Sequence, residues 1–398
     1  MLYFCQMKKR VVVGLSGGVD SSVAAYLLLQ QGYEVIALFM RNWHDNTVIK
    51  DNDCAWIDDS RDALLVAEKL NIPFHVIDLS KPYYERIVNY MFREYENGRT
   101  PNPDVLCNRE IKFDVFLEAA LKLGAQFVAT GHYCQKEETT FQGNTIYKLL
   151  AGADKNKDQS YFLCQINQMQ LSKALFPIGH LQKKEVRQIA EKIGLVTAQK
   201  KDSQGLCFVG KISLPEFLQQ KLSIKKGKII EIEPEQFNNA NNTNVADLET
   251  LSKGYDYAKF GGKIIGEHNG AHFFTVGQRK GFSGGGTKKP LFVLHTDTVK
   301  NIIYAGQGDD HPGLYRKVLK MSASEINWLR PDTIPAFETP FEIQARIRYR
   351  QPLEKALLIR KTDWIYLVFD KKQRGITPGQ FAAWYENDEL LGSGVIFE

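Results

Sequence analysis

The sequence predicts an α/β protein: a doubly wound parallel sheet, then a small central domain, then a C-terminal antiparallel β-barrel. Three observations carry this prediction. The first two hundred residues alternate β-branched runs with amphipathic stretches at helical spacing; a Ser/Gly turn joins the first strand to the first helix; and beyond Met321 the pattern changes to short alternating segments.

Taken in order, Arg10 to Leu15 reads as a strand, Ser21 to Gln31 as a helix stopped by Gly32, and Glu34 to Met40 as a second strand. Asp58 to Leu70 is an amphipathic helix that ends before Asn71, Ile72 and Pro73. Phe74 to Leu79 is a third strand, Lys112 to Leu123 a helix and Phe127 to Thr130 a further strand. Such alternation implies helices on both faces of a parallel sheet. It runs to about Phe208. The stretch from Lys225 to Gly262 is polar, with Asn238, Asn239, Asn241, Asn242 and Asn244 close together, and reads as an insertion or exposed loop. Phe341 to Arg350, Lys355 to Arg360, Trp364 to Phe369 and Phe381 to Tyr385 are the barrel strands. The expected domains are 1–208, 209–316 and 317–398.

Composition narrows the class. A chain of 398 residues favours two or three domains. Its 43% hydrophobic and 24% charged residues are ordinary for a globular protein, and no apolar run is long enough to cross a bilayer. The apolar patch Leu2 to Cys5 precedes Lys8, Lys9 and Arg10, the reverse of a secretory signal, and Met7 is an equally good start. Six irregularly spaced cysteines without a Cys-x-x-Cys pair argue against a disulfide framework or a structural zinc site and point to a reducing, cytoplasmic compartment. The formal charge of +5 is modest, yet Phe341 to Gly375 holds nine Lys and Arg against four Asp and Glu, an excess as large as that of the whole chain. Phosphate contacts are expected there.

Gly14, Leu15, Ser16, Gly17, Gly18, Val19, Asp20 and Ser21 lie between the first strand and the first helix. Successive N–H groups of such a loop face one concavity, and the helix N-terminus adds partial positive charge, so phosphate is stabilised there. The loop lacks the Lys of a Walker motif and the spacing of a dinucleotide fingerprint, which disfavours kinases and dehydrogenases. Asp20 is a hard oxygen ligand suited to Mg²⁺. Gly131 and His132 follow a strand at its C-terminal end, where ligands collect. Met40 ends another strand and reads equally well as an adenine contact or a core methionine.

Two cysteines stand in distinctive contexts. Cys107 follows Pro101, Asn102, Pro103 and Asp104, and the prolines predict an extended, rigid approach. Asn102 and Asp104 suit the edge of a uracil. Cys207 follows Lys200, Lys201 and Asp202, where cations would favour the thiolate. Cys5, Cys54, Cys134 and Cys164 lack such surroundings and read as structural. Lys157, Asp158 and Gln159 read as a loop with free side chains. Arg346, Arg348 and Arg350 alternate along a predicted strand and would share one face, a phosphate track.

The phosphate loop resembles that of ATP pyrophosphatases, which adenylate a substrate oxygen. Together with the Pro-Asn-Pro-Asp segment before Cys107, Lys157 to Leu163, the Cys207 segment and Phe274 to Gly281, it resembles the tRNA-specific 2-thiouridylase family over almost the whole chain. The resemblance implies an adenine nucleotide alpha hydrolase-like, PP-loop catalytic domain, a central tRNA-binding domain and the barrel. It implies ATP and Mg²⁺ as cofactors, tRNA as substrate and a persulfide sulfur-donor protein as partner. ATP would adenylate the C2 oxygen of the wobble uridine, a persulfide on Cys207 would deliver sulfur, and Cys107 would resolve it, leaving a disulfide or releasing hydrogen sulfide first; the reverse division between the cysteines stays open. Catalytic residues would be Cys107, Cys207 and Asp104; tRNA contacts would be Asn102, Pro103, Asp104, His132, Lys157, Asp158, Gln159, Arg348, Tyr349 and Gln380, with Arg279 and Lys280 at the stem. Ile232 to Gly262 is longer and richer in Asn than the family pattern, which implies an added loop. Two other classes compete: another ATP pyrophosphatase, which would leave both cysteines idle, and a non-catalytic RNA-binding protein, which would need neither Asp20 nor the cysteines.

Overall fold

A computed structural model describes residues 8–42, 55–201, 217–219, 221–237, 247–279, 281 and 289–398. Strands β1 (Arg10–Gly14), β2 (Glu34–Arg41), β3 (Phe74–Asp78), β4 (Phe127–Ala129) and, after the hairpin β5 (Cys134–Phe141) and β6 (Asn144–Ala151), the short β7 (Ala174–Leu175) include a five-stranded parallel sheet in the order β3-β2-β1-β4-β7. Alternate residues of the central strands serve opposite faces. Val11, Val13, Val35 and Ala37 pack with Val23 of α1 (Val19–Gln30) and Val66 of α2 (Ala55–Leu70), whereas Val12, Ile36 and Leu38 pack with Tyr83, Met91, Phe113 and Phe116. Both faces are dry, which is why these strands read as continuous apolar runs.

The expected helix at Lys112 to Leu123 begins earlier and is not uniform. A helical turn Pro103–Leu106 leads into a wide π-helical segment Cys107–Val115, with Phe113 leaving helical geometry, before a regular helix Phe116–Lys122. π-Helical turns often mark functional positions.

The central domain is built from β8 (Gly227–Glu231), β9 (Lys263–His268), β10 (Leu291–Asp297) and β11 (Ile302–Gln307), in the order β10-β11-β8-β9. This corrects the reading of Lys225 to Gly262 as an exposed loop. β8 is the centre of the sheet, and Ile232, Phe237 and Tyr257 are buried with Leu294, Tyr304 and Leu314. The asparagine cluster itself lies outside the described residues.

The last strands are β12 (Tyr315–Trp328), β13 (Phe341–Arg346), β14 (Glu354–Arg360), β15 (Trp364–Arg374), β16 (Phe381–Glu386) and β17 (Glu389–Ile396). They run β12-β15-β14-β13-β16-β17, and pairing of β12 with β17 closes the barrel. The hairpin β5-β6 of the N-terminal domain adds to this sheet through Leu149 and Leu150 on β17. The expected boundary at 316/317 falls inside β12, where Tyr315 and Arg316 already pair with β15. The boundary expected at 208/209 lies outside the described residues.

Candidate active site

The phosphate loop forms at the C-terminal end of β1. Ser21 Oγ accepts from the Ser16 N–H at 3.1 Å and donates to the Gly18 carbonyl at 3.2 Å, and Ser22 Oγ donates to the same carbonyl at 2.8 Å. These bonds tie the loop to the first turn of α1. Gly17 has φ +72°, and a Cβ there would lie 2.1 Å from the Asp59 carbonyl oxygen. Only glycine fits so close to α2 with that backbone. A Cβ on Gly131 would lie 2.7 Å from both Asp20 C and Ser21 N, so the segment after β4 is pressed against the start of α1. A methyl on Gly14 would come within 3.5 Å of Met40 Cε, which puts Met40 against this strand end. The result is a concave glycine and serine surface at a helix N-terminus, a geometry that holds phosphate oxygens.

Asp20 is held by two groups that sequence reading missed. Tyr133 donates its hydroxyl to Oδ1 at 2.6 Å, and the Lys183 ammonium lies 2.8 Å from each carboxylate oxygen. Lys183 opens a helix, Lys183–Lys192, and its backbone N–H donates to Asp154 Oδ2 at 3.0 Å. A lysine 163 residues from Asp20 gives no local signal; the cue was its place at the start of a strongly amphipathic helix following a strand. No cluster of three or more His, Cys, Asp or Glu suited to a metal occurs among the described residues. A single carboxylate beside a phosphate cradle fits Mg²⁺, which commonly takes one or two carboxylates and completes its shell with water and substrate phosphate.

Cys107 opens the π-helical segment and is fully buried. Burial pushes its thiol up to about 11, with Asp104 adding to the rise and Lys112 opposing it. The thiol, not the thiolate, is therefore the resting form. Phe116, which opens the helix after this segment, reaches within 3.6 Å of the position a Gly14 side chain would take, and the Phe113 ring of the segment lies 6.3 Å from that of His132. His132 is buried, its Nδ1 2.7 Å from Thr130 Oγ1, and burial together with Lys112 holds it well below the usual histidine range. Cys134 and Cys164 are buried thiols raised by desolvation, consistent with structural roles. Cys207, with Cys5 and Cys54, lies outside the described residues, as does Lys280.

The approach to Cys107 is extended only as far as Asn102 and then helical. Asn102 Oδ1 accepts from the Val105 N–H at 3.3 Å and Pro103 takes the first helical position, so the prolines start a helical turn. This turn is fastened to the barrel: Gln380 Nε2 donates to the Thr100 and Pro101 carbonyls at 2.9 and 3.1 Å, and its Oε1 is 3.5 Å from Asn102 Nδ2. Pro103 is buried, whereas Asn102 and Asp104 keep part of their surface.

The expected arginine face does not form. β13 ends at Arg346, and the chain then turns, with Arg350 at φ +64°. Arg346 is buried in an ion pair with Asp158, at 2.5 Å. Arg348 donates to the Val276 and Gly375 carbonyls and to Thr377 Oγ1, at 3.0, 2.8 and 2.9 Å, joining central domain to barrel. Only Arg350 is exposed. Tyr349 packs on Phe162 with centroids 4.3 Å apart. Nor are the side chains of the 157–159 turn free. Asp158 is buried and also accepts from the Gly152 and Ser160 N–H groups, while Gln159 Oε1 accepts from the Tyr133 N–H. The Asp158 carboxylate is thus occupied inside the protein, whereas Lys157 and Gln159 are half-buried.

Residues 9–211 match the family model described as the tRNA methyl transferase HUP domain, residues 247–307 the tRNA methyl transferase PRC-barrel domain, and residues 318–396 the Aminomethyltransferase beta-barrel domain. The chain is 60% identical to the tRNA-specific 2-thiouridylase MnmA of Christiangramia forsetii, over 98% of this chain and all of that one. The protein of the same name from Flavobacterium johnsoniae is also 60% identical, with 98% and 100% covered. That of Karelsulcia muelleri is 49% identical, with 98% and 99% covered.

Proposed function

The chain belongs to the tRNA-specific 2-thiouridylase family, and from that membership we propose that it uses ATP to activate C2 of a tRNA wobble uridine and replaces the C2 oxygen with sulfur. It is a tRNA sulfurtransferase. The observation that best supports the ATP step is the glycine and serine loop after β1, where Tyr133 and Lys183 hold Asp20 at the start of α1.

In this reading the loop from Gly14 to Ser21 binds the phosphates of ATP, and Gly131 and Met40 border the nucleotide. Asp20 and Lys183 face the α,β-phosphate bond, and the Asp20 carboxylate would hold Mg²⁺, which neutralises charge on the departing pyrophosphate. Transfer of AMP to the C2 oxygen converts it into a leaving group. The terminal sulfur of a Cys207 persulfide, loaded by a donor protein, then attacks C2 and AMP departs. The Cys107 thiolate attacks the Cys207 sulfur, breaking the S–S bond to the substrate, so that tRNA leaves as 2-thiouridine and a Cys107–Cys207 disulfide remains for a cellular reductant. If Cys107 attacks first, hydrogen sulfide is released and attacks C2, with the same disulfide left behind. Asp104, whose charge is felt at Cys107 and which is partly exposed, would receive the thiol proton. Asn102, Lys157, Tyr349 and Arg350, which keep exposed surface, would meet the RNA, and Gln380 would do so while holding the Thr100–Pro101 turn; His132, Pro103, Asp158, Gln159 and Arg348 would support the site from within.

The buried, protonated state of Cys107 means that it must be uncovered before it reacts, which suits a thiol needed only after uridine activation. Product analysis tests the ATP step. With tRNA present, the account predicts AMP and pyrophosphate; ADP and phosphate would contradict it.

A further inference from the structure

The turn from Gly152 to Ser160 touches the phosphate site and the barrel at once. On one side Gln159 and Tyr133 exchange two hydrogen bonds: Gln159 N–H to the Tyr133 carbonyl at 2.9 Å, and Tyr133 N–H to Gln159 Oε1 at 3.0 Å. Tyr133 in turn donates its hydroxyl to Asp20. Asp154 of the same turn accepts from the Lys183 N–H, and Lys183 is the other partner of Asp20. Gly152 lies so close to Tyr133 that a Cβ would meet its carbonyl oxygen at 2.6 Å. Both groups that orient Asp20 are therefore set by one nine-residue turn.

On its other side the turn is locked to the barrel. Asp158 Oδ1 accepts from the Gly152 and Ser160 N–H groups, and Oδ2 pairs with Arg346 at the end of β13. The Arg346 guanidinium lies over the Tyr385 ring at 4.7 Å, and Ser160 Oγ is 3.2 Å from the Tyr385 hydroxyl. A buried ion pair contributes little net stability but is costly to break, so it fixes geometry more than it adds energy.

We propose that the Gly152–Ser160 turn is a positioning element that makes the Asp20 site depend on the docking of the barrel through the Arg346–Asp158 pair. Asp158 and Gln159 are positioning residues that act through Tyr133. The proposal rests on the reading of the phosphate loop as the ATP site. Its consequence is that ATP is used well only when the barrel, which carries Gln380 and Tyr349, is seated.

The test is tRNA-dependent AMP formation by the full chain, with KM for ATP and KM for tRNA measured separately. Variants are Arg346→Gln, Asp158→Asn, Gln159→Leu and Tyr133→Phe, with Arg360→Gln as the control, since Arg360 lies over the Phe337 ring at 4.0 Å and donates to the Pro335 carbonyl, both within the C-terminal part of the chain. The expected result is a KM for ATP raised roughly tenfold in Arg346→Gln and Gln159→Leu, with the Arg346→Gln/Tyr133→Phe double variant no worse than the poorer single. Arg360→Gln should leave the KM for ATP unmoved. Gln159→Leu leaves the buried ion pair intact and keeps the test open if Arg346→Gln does not fold. A KM for ATP within twofold of the unaltered protein in the turn variants, additive effects in the double variant, or a rise only in the KM for tRNA would overturn the coupling. An unaltered protein that forms no AMP would overturn the ATP-site reading along with it.

Discussion

The Lys183 ammonium sits between the two carboxylate oxygens of Asp20, 2.8 Å from each, with its side chain only 13% exposed. A cation so placed neutralises Asp20 and would offer an ammonium to a phosphate bound at the start of α1. Lys183→Ala is expected to lower kcat/KM for ATP by roughly 100-fold, the scale of losing one preorganised charge at a transition state. Lys183→Arg should recover part of the loss. Activity within threefold of the unaltered protein in Lys183→Ala would remove this lysine from the site.

Gly131→Ala places a Cβ 2.7 Å from the backbone of Asp20 and Ser21. The helix start must shift, and the fold has other contacts to hold it. Expected outcomes are a destabilisation of about 1–3 kcal/mol by thermal melting and a loss of ATP-dependent activity much larger than that of a surface glycine such as Gly254, whose added Cβ would come no nearer than 3.9 Å to another group. Equal effects from the two substitutions would contradict the close packing.

Burial holds the Cys107 thiol at about 11, so the thiolate is scarce at neutral pH. Labelling of Cys107 by iodoacetamide in the resting protein should be slow and rise about tenfold per pH unit between pH 7 and 10. Peptide mass analysis reads the rate at Cys107 alone. A plateau near pH 8 would show a thiolate already stabilised in the resting state.

His132 is neutral and buried, with its pKa held well below 6.5. A depressed histidine favours the folded state above the unfolded pKa and penalises it as pH falls from about 6.5, because the unfolded chain then binds the proton more readily. Melting temperature should therefore drop between pH 7 and pH 5, and His132→Asn should flatten that drop by a few degrees. An unchanged slope would show that other groups dominate the acid limb.

Much of the N-terminal domain was legible because its signals are local. The period of Val11, Val13 and Val35, the glycine stop at Gly32 and the Ser/Gly loop each lie within one element. The phosphate loop and Cys107 could be singled out for the same reason. What could not be read were partners distant in the chain: Tyr133 and Lys183 on Asp20, and Arg346 on Asp158, 188 residues away. The alternation Arg346, Arg348, Arg350 was misread as one face because a positive φ at Arg350 and the turn after β13 override the strand period. Polar residues at 157–159 likewise suggested exposure, yet their polarity is used to satisfy buried backbone groups. The stretch around Ile232 misled for the opposite reason: its charges and asparagines dominate the local composition, yet Ile229, Ile232, Phe237 and Tyr257 are buried.

The central claim is that sulfur replaces oxygen at C2 of a tRNA uridine through Cys107 and Cys207. The most direct measurement is nucleoside mass analysis of tRNA after incubation with the protein, ATP, Mg²⁺ and a persulfide donor. The unaltered chain, Cys107→Ser and Cys207→Ser are compared. The account predicts 2-thiouridine that requires ATP and is lost in both variants. Undiminished 2-thiouridine in either variant, or none from the unaltered chain while ATP is still cleaved to AMP, would contradict it.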